Sequence, residues 1–172
     1  MRCRLSPIGD VPSHTSGAAM CQFLTFNPIN GIDLSDLREI RDTVMPSTRI
    51  TTGTWVMGTE TGVINAVQTA LLSALKIPDY DRDVVLDVYD TATRIVPTGR
   101  SERYTRVEVT MFSGRSLDAK RALYRAVVEN LSALGVPPNE IKIVLIEVPP
   151  ENWGLRGGLP ASEIDLGFEV NV

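Results

Sequence analysis

Residues 104–148, YTRVEVTMFSGRSLDAKRALYRAVVENLSALGVPPNEIKIVLIEV, hold the reading on which the fold turns. From Tyr104 to Phe112, Val107, Val109 and Met111 fall on one side of an extended chain and Arg106, Glu108 and Thr110 on the other, the alternation of a strand with one buried face. From Leu117 to Leu134 the period lengthens: Leu123, Val127, Leu131 and Leu134 recur at helical spacing and make one apolar stripe. Ser116 is placed to cap that helix, Asp118 stands in its first turn where the dipole favours an anion, and Gly135 with Pro137 stops it. Ile141–Val148 then reads as a second strand. The whole stretch is a βαβ unit.

Working outward, the same unit occurs once before. A shift of 59 positions lays Ile50 on Val109, Ile64 on Leu123, Leu72 on Leu131, Leu75 on Leu134, Ile77 on Val136, Pro78 on Pro137 and Val85 on Val144. Strands are expected at Ser47–Thr52 and Asp83–Tyr89, with a helix at Glu60–Lys76 whose stripe is Ile64, Val67, Leu71 and Leu75. Repeat one spans about 46–89 and repeat two about 104–148, followed by a C-terminal segment, 149–172. The fold class is α+β: two tandem βαβ units with pseudo-two-fold symmetry, a four-stranded sheet and two helices on one face. Such a sheet leaves its other face and its edges bare, so association with further copies is expected.

Composition excludes several functions. With 172 residues, 43% of them apolar, the chain can bury one core, and no run approaches the ~18 apolar residues of a membrane helix. Residues 1–20 lack the apolar centre of a secretory signal, so a cytoplasmic location without a membrane partner is expected. A net charge of −4 argues against a nucleic-acid partner, whose phosphates call for a basic face. Cys3, Cys21 and His14 are the only soft or imidazole ligands, too few for a zinc site, and no metal or cofactor is expected.

Both cysteines, the histidine and a Ser/Gly-rich run lie in residues 1–44, where only Leu34–Val44 has the pattern of a short amphipathic helix. This part reads as an N-terminal extension to the domain at 45–172, either disordered or the product of a misplaced start.

The order of motifs carries a resemblance. MPSTRI at 45–50, IPDYDR at 77–82, and the run from Tyr104 through ENWGLRGG at 151–158 resemble the tautomerase superfamily, the 4-oxalocrotonate tautomerase and macrophage migration inhibitory factor group, and within it the branch of malonate semialdehyde decarboxylase. The resemblance spans about 45–172 and implies a βαβ-repeat homotrimer with two fused repeats per chain. It implies a catalytic proline at the N-terminus, which makes Pro46 that group when the chain starts at Met45 and the methionine is removed. Joined to Met45, the Pro46 nitrogen is an amide and no base. A start at Met45, removal of 1–44 by proteolysis, and loss of the chemistry are the three ways to reconcile the extension with the motif.

The other residues follow by position. Arg115, in the turn Ser113–Ser116, corresponds to an arginine that holds substrate carboxylate, and a guanidinium beside a helix N-terminus suits that task. The branch carries a second arginine two positions earlier, where this chain has Ser113. Asp81 corresponds to an aspartate that assists the proline or orients water, and Arg82 to its neighbour; Trp153 and Leu155 correspond to the wall of the pocket. The expectation is an enzyme in which Pro46, as general base, moves a proton in a small carboxylate-bearing oxo acid, with Asp81 and Arg115 catalytic and Arg82, Trp153 and Leu155 binding substrate. The alternatives are hydration or decarboxylation of a 3-oxo acid by protonated Pro46, and an inactive trimeric binding module that retains the extension.

Overall fold

The computed structural model describes residues 46–166; the extension, the Leu34–Val44 helix and residues 167–172 lie outside the described residues. Both repeats form as their patterns dictate. β1 (Ser47–Gly53), α1 (Glu60–Leu75) and β2 (Asp83–Tyr89) make the first unit, and β3 (Thr105–Phe112), α2 (Leu117–Ala133) and β4 (Ile141–Val148) the second. A two-stranded ribbon, β5 (Gly154–Leu155) with β6 (Leu159–Pro160), follows.

The sheet order is β2-β1-β3-β4. β1 runs parallel to β2, β3 parallel to β4, and the two units meet where β1 and β3 pair antiparallel. Exchanging the units returns the same order, so the 59-residue repeat of the sequence is a two-fold relation in space. Register fixes which ends meet: Ser47 stands opposite Asp83 on one side and Thr110 on the other. The starts of β1 and β2 therefore share one end of the sheet with the finishes of β3 and β4.

The core lies between one face of the sheet and the two helices. Ile50, Val107 and Val109 from the sheet are fully buried, as are Val63, Val67 and Leu71 of α1 and Leu123, Val127 and Leu131 of α2. The helices pack on each other, and Asn130 Nδ2 donates to the Ala66 carbonyl across them at 2.9 Å. In α1 Val67, Leu71 and Leu75 are buried as the sequence reads, and only the first position of the stripe differs, with Val63 buried and Ile64 half-buried. Leu134 is 39% exposed because it is the C-cap of α2 and already turns away from the core.

The ends of α2 match their sequence signals. Ser116 Oγ accepts from Ala119 N at 3.1 Å. Gly135 takes φ 84°, its N–H bonds Ser132 O, and Val136 N–H bonds Leu131 O, the paired closure that a left-handed glycine permits. In α1 the left-handed role falls to Lys76, at φ 55°, immediately before Ile77-Pro78.

The opposite face of the sheet carries Arg49 bonded to Asp87 at 3.1 Å, Arg106 bonded to Glu108 at 2.6 Å, and the partly exposed Val85 and Ile146. No helix of the described residues is long and apolar enough to cross a membrane.

Candidate functional site

Pro46 is buried and directly precedes β1. Extending the sheet register by one residue sets it beside Arg82 on the β2 side and Met111 on the β3 side. The turn Ser113–Ser116 continues β3 at the same end, and Ser113 N–H bonds the Val148 carbonyl at 3.1 Å, which closes the finishes of β3 and β4 together. Five of the six residues singled out from the sequence, Pro46, Asp81, Arg82, Arg115 and Trp153, thus come from segments that converge on one end of the sheet.

Asp81 is 1% exposed, in a turn closed by Asp81 N–H to Pro78 O at 3.1 Å. Its own carbonyl accepts from Gln68 Nε2 at 3.0 Å, and Gln68 is itself buried on α1. Sequence reasoning missed Gln68. The signal was present: a polar amide beside Val67 and one turn before Leu72, on a helix face that is otherwise apolar.

Arg115 is 8% exposed rather than a solvated surface side chain. Its Nη1 donates to the Leu75 carbonyl at 2.9 Å, and its Nε has no hydrogen-bond partner among the described residues. Burial pushes the guanidinium down from its ordinary value, yet an arginine remains charged. The charge sits against the last carbonyl of α1, the negative end of that helix, and so is partly stabilised where water is excluded. Gln68 and Leu75 are seven residues apart on α1, about 10 Å along its axis at ~1.5 Å per residue. One helix therefore steadies both Asp81 and Arg115.

Trp153 stacks edge-on against Phe112, the last residue of β3, with ring centroids 5.7 Å apart and an interplanar angle of 78°. Its carbonyl accepts from Ala161 N–H at 2.9 Å, while its buried Nε1 has no partner among the described residues. Leu155 is half-buried in β5 and packs on the core. Arg156, Gly157 and Gly158 all have positive φ and form the tight turn of the ribbon. Arg82 is exposed, and its Nε donates to the Asp79 carbonyl at 2.7 Å, bracing its own turn.

The segments that meet at this end of the sheet bring a buried carboxylate, a buried guanidinium with one idle N–H, and the Trp153–Phe112 aromatic pair. Such a set can hold a carboxylate ligand and shield a proton transfer from water. Among the described residues no three His, Cys, Asp or Glu side chains group to hold a metal ion.

The chain is similar to known proteins in this region and beyond. A family model described as tautomerase enzyme matches residues 81–156. A 2-hydroxymuconate tautomerase of Comamonas testosteroni is 35% identical over 51 residues, 29% of this chain and 81% of that one. Among solved structures, the FG41 malonate semialdehyde decarboxylase inhibited by 3-bromopropiolate superposes with a TM-score of 0.60 at 26% identity, over 69% of this chain and 97% of that one. A fused 4-OT, solved as a symmetric trimer, superposes with a TM-score of 0.60 at 24% identity, over 67% of this chain and 95% of that one, a likeness of fold.

Proposed function

The chain belongs to the tautomerase superfamily, and on that premise we propose that its working form begins at Pro46 and uses the free secondary amine as a general base on a small oxo carboxylic acid. The observation that carries this reading is the convergence at the start of β1: a buried proline, the buried Asp81 and the buried Arg115 share one end of the sheet.

Pro46 takes a proton from the carbon beside the substrate's carbonyl and returns it elsewhere on the resulting enolate, at its oxygen for keto-enol exchange, while Arg115 holds the carboxylate through its idle Nε edge. Asp81 orients the amine or a water. An α-amino group ordinarily titrates near ~8; burial and a neighbouring cation both disfavour its protonated form and bring it into range for base catalysis at neutral pH. Trp153 and Leu155 wall the pocket and Arg82 lies at its rim. The working assembly is a homotrimer, the state in which the fused 4-OT was solved, and it covers the bare face of the sheet.

A second reading has a specific observation behind it: 26% identity to a malonate semialdehyde decarboxylase over nearly all of that chain. In it Pro46 stays protonated and, with Asp81, promotes decarboxylation or hydration of a 3-oxo acid. The pH profile separates the two. With a base, activity falls as pH drops below the amine's pKa; with an acid, activity falls as pH rises above it. Assaying a panel of 2-oxo and 3-oxo acids across pH with the protein and its Pro46→Ala variant tests both, and equal activity in the variant overturns both.

A further inference from the structure

A cavity of about 260 Å³ opens at the end of the sheet opposite Pro46, lined by Gly53, Tyr89, Arg94, Val96, Arg100 and Ser101 among others. Nothing in the proline chemistry uses it. The repeat explains its position: adding 59 to its lining residues carries Gly53 to Phe112, Tyr89 to Val148, Arg94 to Trp153 and Val96 to Leu155. It stands at the two-fold mate of the end of the sheet that carries Pro46. The proline's own counterpart is Thr105, inside a continuous chain, with its hydroxyl 2.9 Å from that of Thr52. The counterpart of Asp81 is Glu140, whose two carboxylate oxygens both accept from Ser101 N–H at 3.1 Å. The groups that would do chemistry are absent or engaged, whereas the wall has gained a cation.

That cation is held rigidly. Arg94 Nη2 donates to the Tyr104 carbonyl at 2.6 Å, and the guanidinium lies 5.4 Å from the centre of the Tyr104 ring. Its Nη1 is buried without a hydrogen-bond partner among the described residues. The Asp90 carboxylate, also at the wall, accepts through Oδ1 from Ala92 N–H, Thr93 N–H and the Thr93 hydroxyl at 2.9, 3.0 and 3.0 Å, and makes no ion pair with Arg94. A buried N–H of a fixed cation without an acceptor is costly to leave empty. We propose that this cavity is a second, non-catalytic binding site for a small monocarboxylic acid, whose carboxylate bonds Arg94 Nη1 and whose apolar body lies against Val96 and Tyr89. Asp90 and Glu102 at the wall set the charge preference, since they oppose a dianion.

The inference rests on the repeat and the cavity, and it stands or falls independently of the chemistry at Pro46. Pyruvate is titrated into the isotope-labelled protein, with amide shifts read at Tyr89, Thr91 and Ser101. The expected result is a saturable shift at these amides, weakened at least tenfold in Arg94→Met and retained in Arg115→Met, which alters the other end of the sheet. Val96→Trp, which fills the cavity and leaves Arg94 in place, abolishes the same shifts and serves if Arg94→Met does not fold. Absence of saturable shifts, their persistence in both variants, or equally tight binding of inorganic phosphate overturns the proposal.

Discussion

Arg115 donates through Nη1 to the carbonyl oxygen of Leu75 at 2.9 Å, so the turn that follows β3 is fastened to the last residue of α1 in the other repeat. One contact links the two βαβ units at the end of the sheet where Pro46 stands. It also leaves the remaining guanidinium edge in a fixed direction, the condition for recognising a planar carboxylate.

Arg115→Lys tests this division of labour. Lysine keeps the charge and can reach a carbonyl but lacks the fork, so the variant folds and its KM for a carboxylate substrate rises about 10- to 100-fold, the loss of one charge-assisted bond worth ~1.5–3 kcal/mol. Steady-state kinetics beside a melting curve separates the two effects. A KM that does not change removes Arg115 from substrate binding.

Gln68→Leu deletes the amide that bonds the Asp81 carbonyl inside the fold. An unsatisfied buried carbonyl costs about 1–3 kcal/mol, so urea unfolding shows a lower midpoint with an unchanged slope. Activity falls further than stability explains, because Asp81 loses its brace. Wild-type activity in a folded Gln68→Leu protein shows that Asp81 needs none.

Arg115 is legible in the sequence and Gln68 is not. The six strand and helix segments were legible because alternation at Val107, Val109 and Met111 and helical spacing at Leu123, Val127 and Leu131 each state a period, and the repeat states it twice. The first turn of α1 was harder: Ile64 and Val63 are both apolar, and tertiary packing buries Val63. The convergence of Pro46, Asp81 and Arg115 follows from strand order and register, which no local pattern contains. Gln68 escaped because its partner is a backbone carbonyl 13 residues away. The ribbon at Gly154–Pro160 is not legible within the C-terminal segment, since two-residue strands have no period.

Leu131→Ala measures the core. Leu131 is fully buried on α2, and its truncation costs about 2–5 kcal/mol by lost transfer and cavity formation. Denaturant unfolding reads it directly. A loss below 1 kcal/mol means that the helix pair collapses to fill the space.

Gly53→Ala probes the far end of the sheet. A Cβ there collides with the Glu102 carbonyl oxygen, which is backbone and cannot swing aside. The variant is destabilised and the cavity beside it deformed, so pyruvate shifts at Ser101 weaken together with the melting temperature. An unchanged melting temperature contradicts that close approach.

Asp90→Ala gives a pH signature. Hydrogen bonds from the Thr93 side chain, then from the Thr93 and Ala92 backbone, hold the Asp90 carboxyl below its ordinary value of 3.8. A depressed folded-state pKa contributes stability that is complete above the unfolded value and fades as pH falls through the folded one. The wild type is therefore more stable than the variant at neutral pH, and the difference shrinks on acidification below about 3.8. A difference independent of pH over that interval assigns the turn's stability to the backbone alone.

The central claim is that the chemistry belongs to a free amine on Pro46, and the most direct measurement is the intact mass and N-terminal sequence of untagged protein from its native cells, taken on the same fraction that shows oxo acid activity. The account predicts an active species whose first residue is Pro46. Full activity in a species that retains Met45 or anything before it contradicts the account, because the Pro46 nitrogen is then an amide.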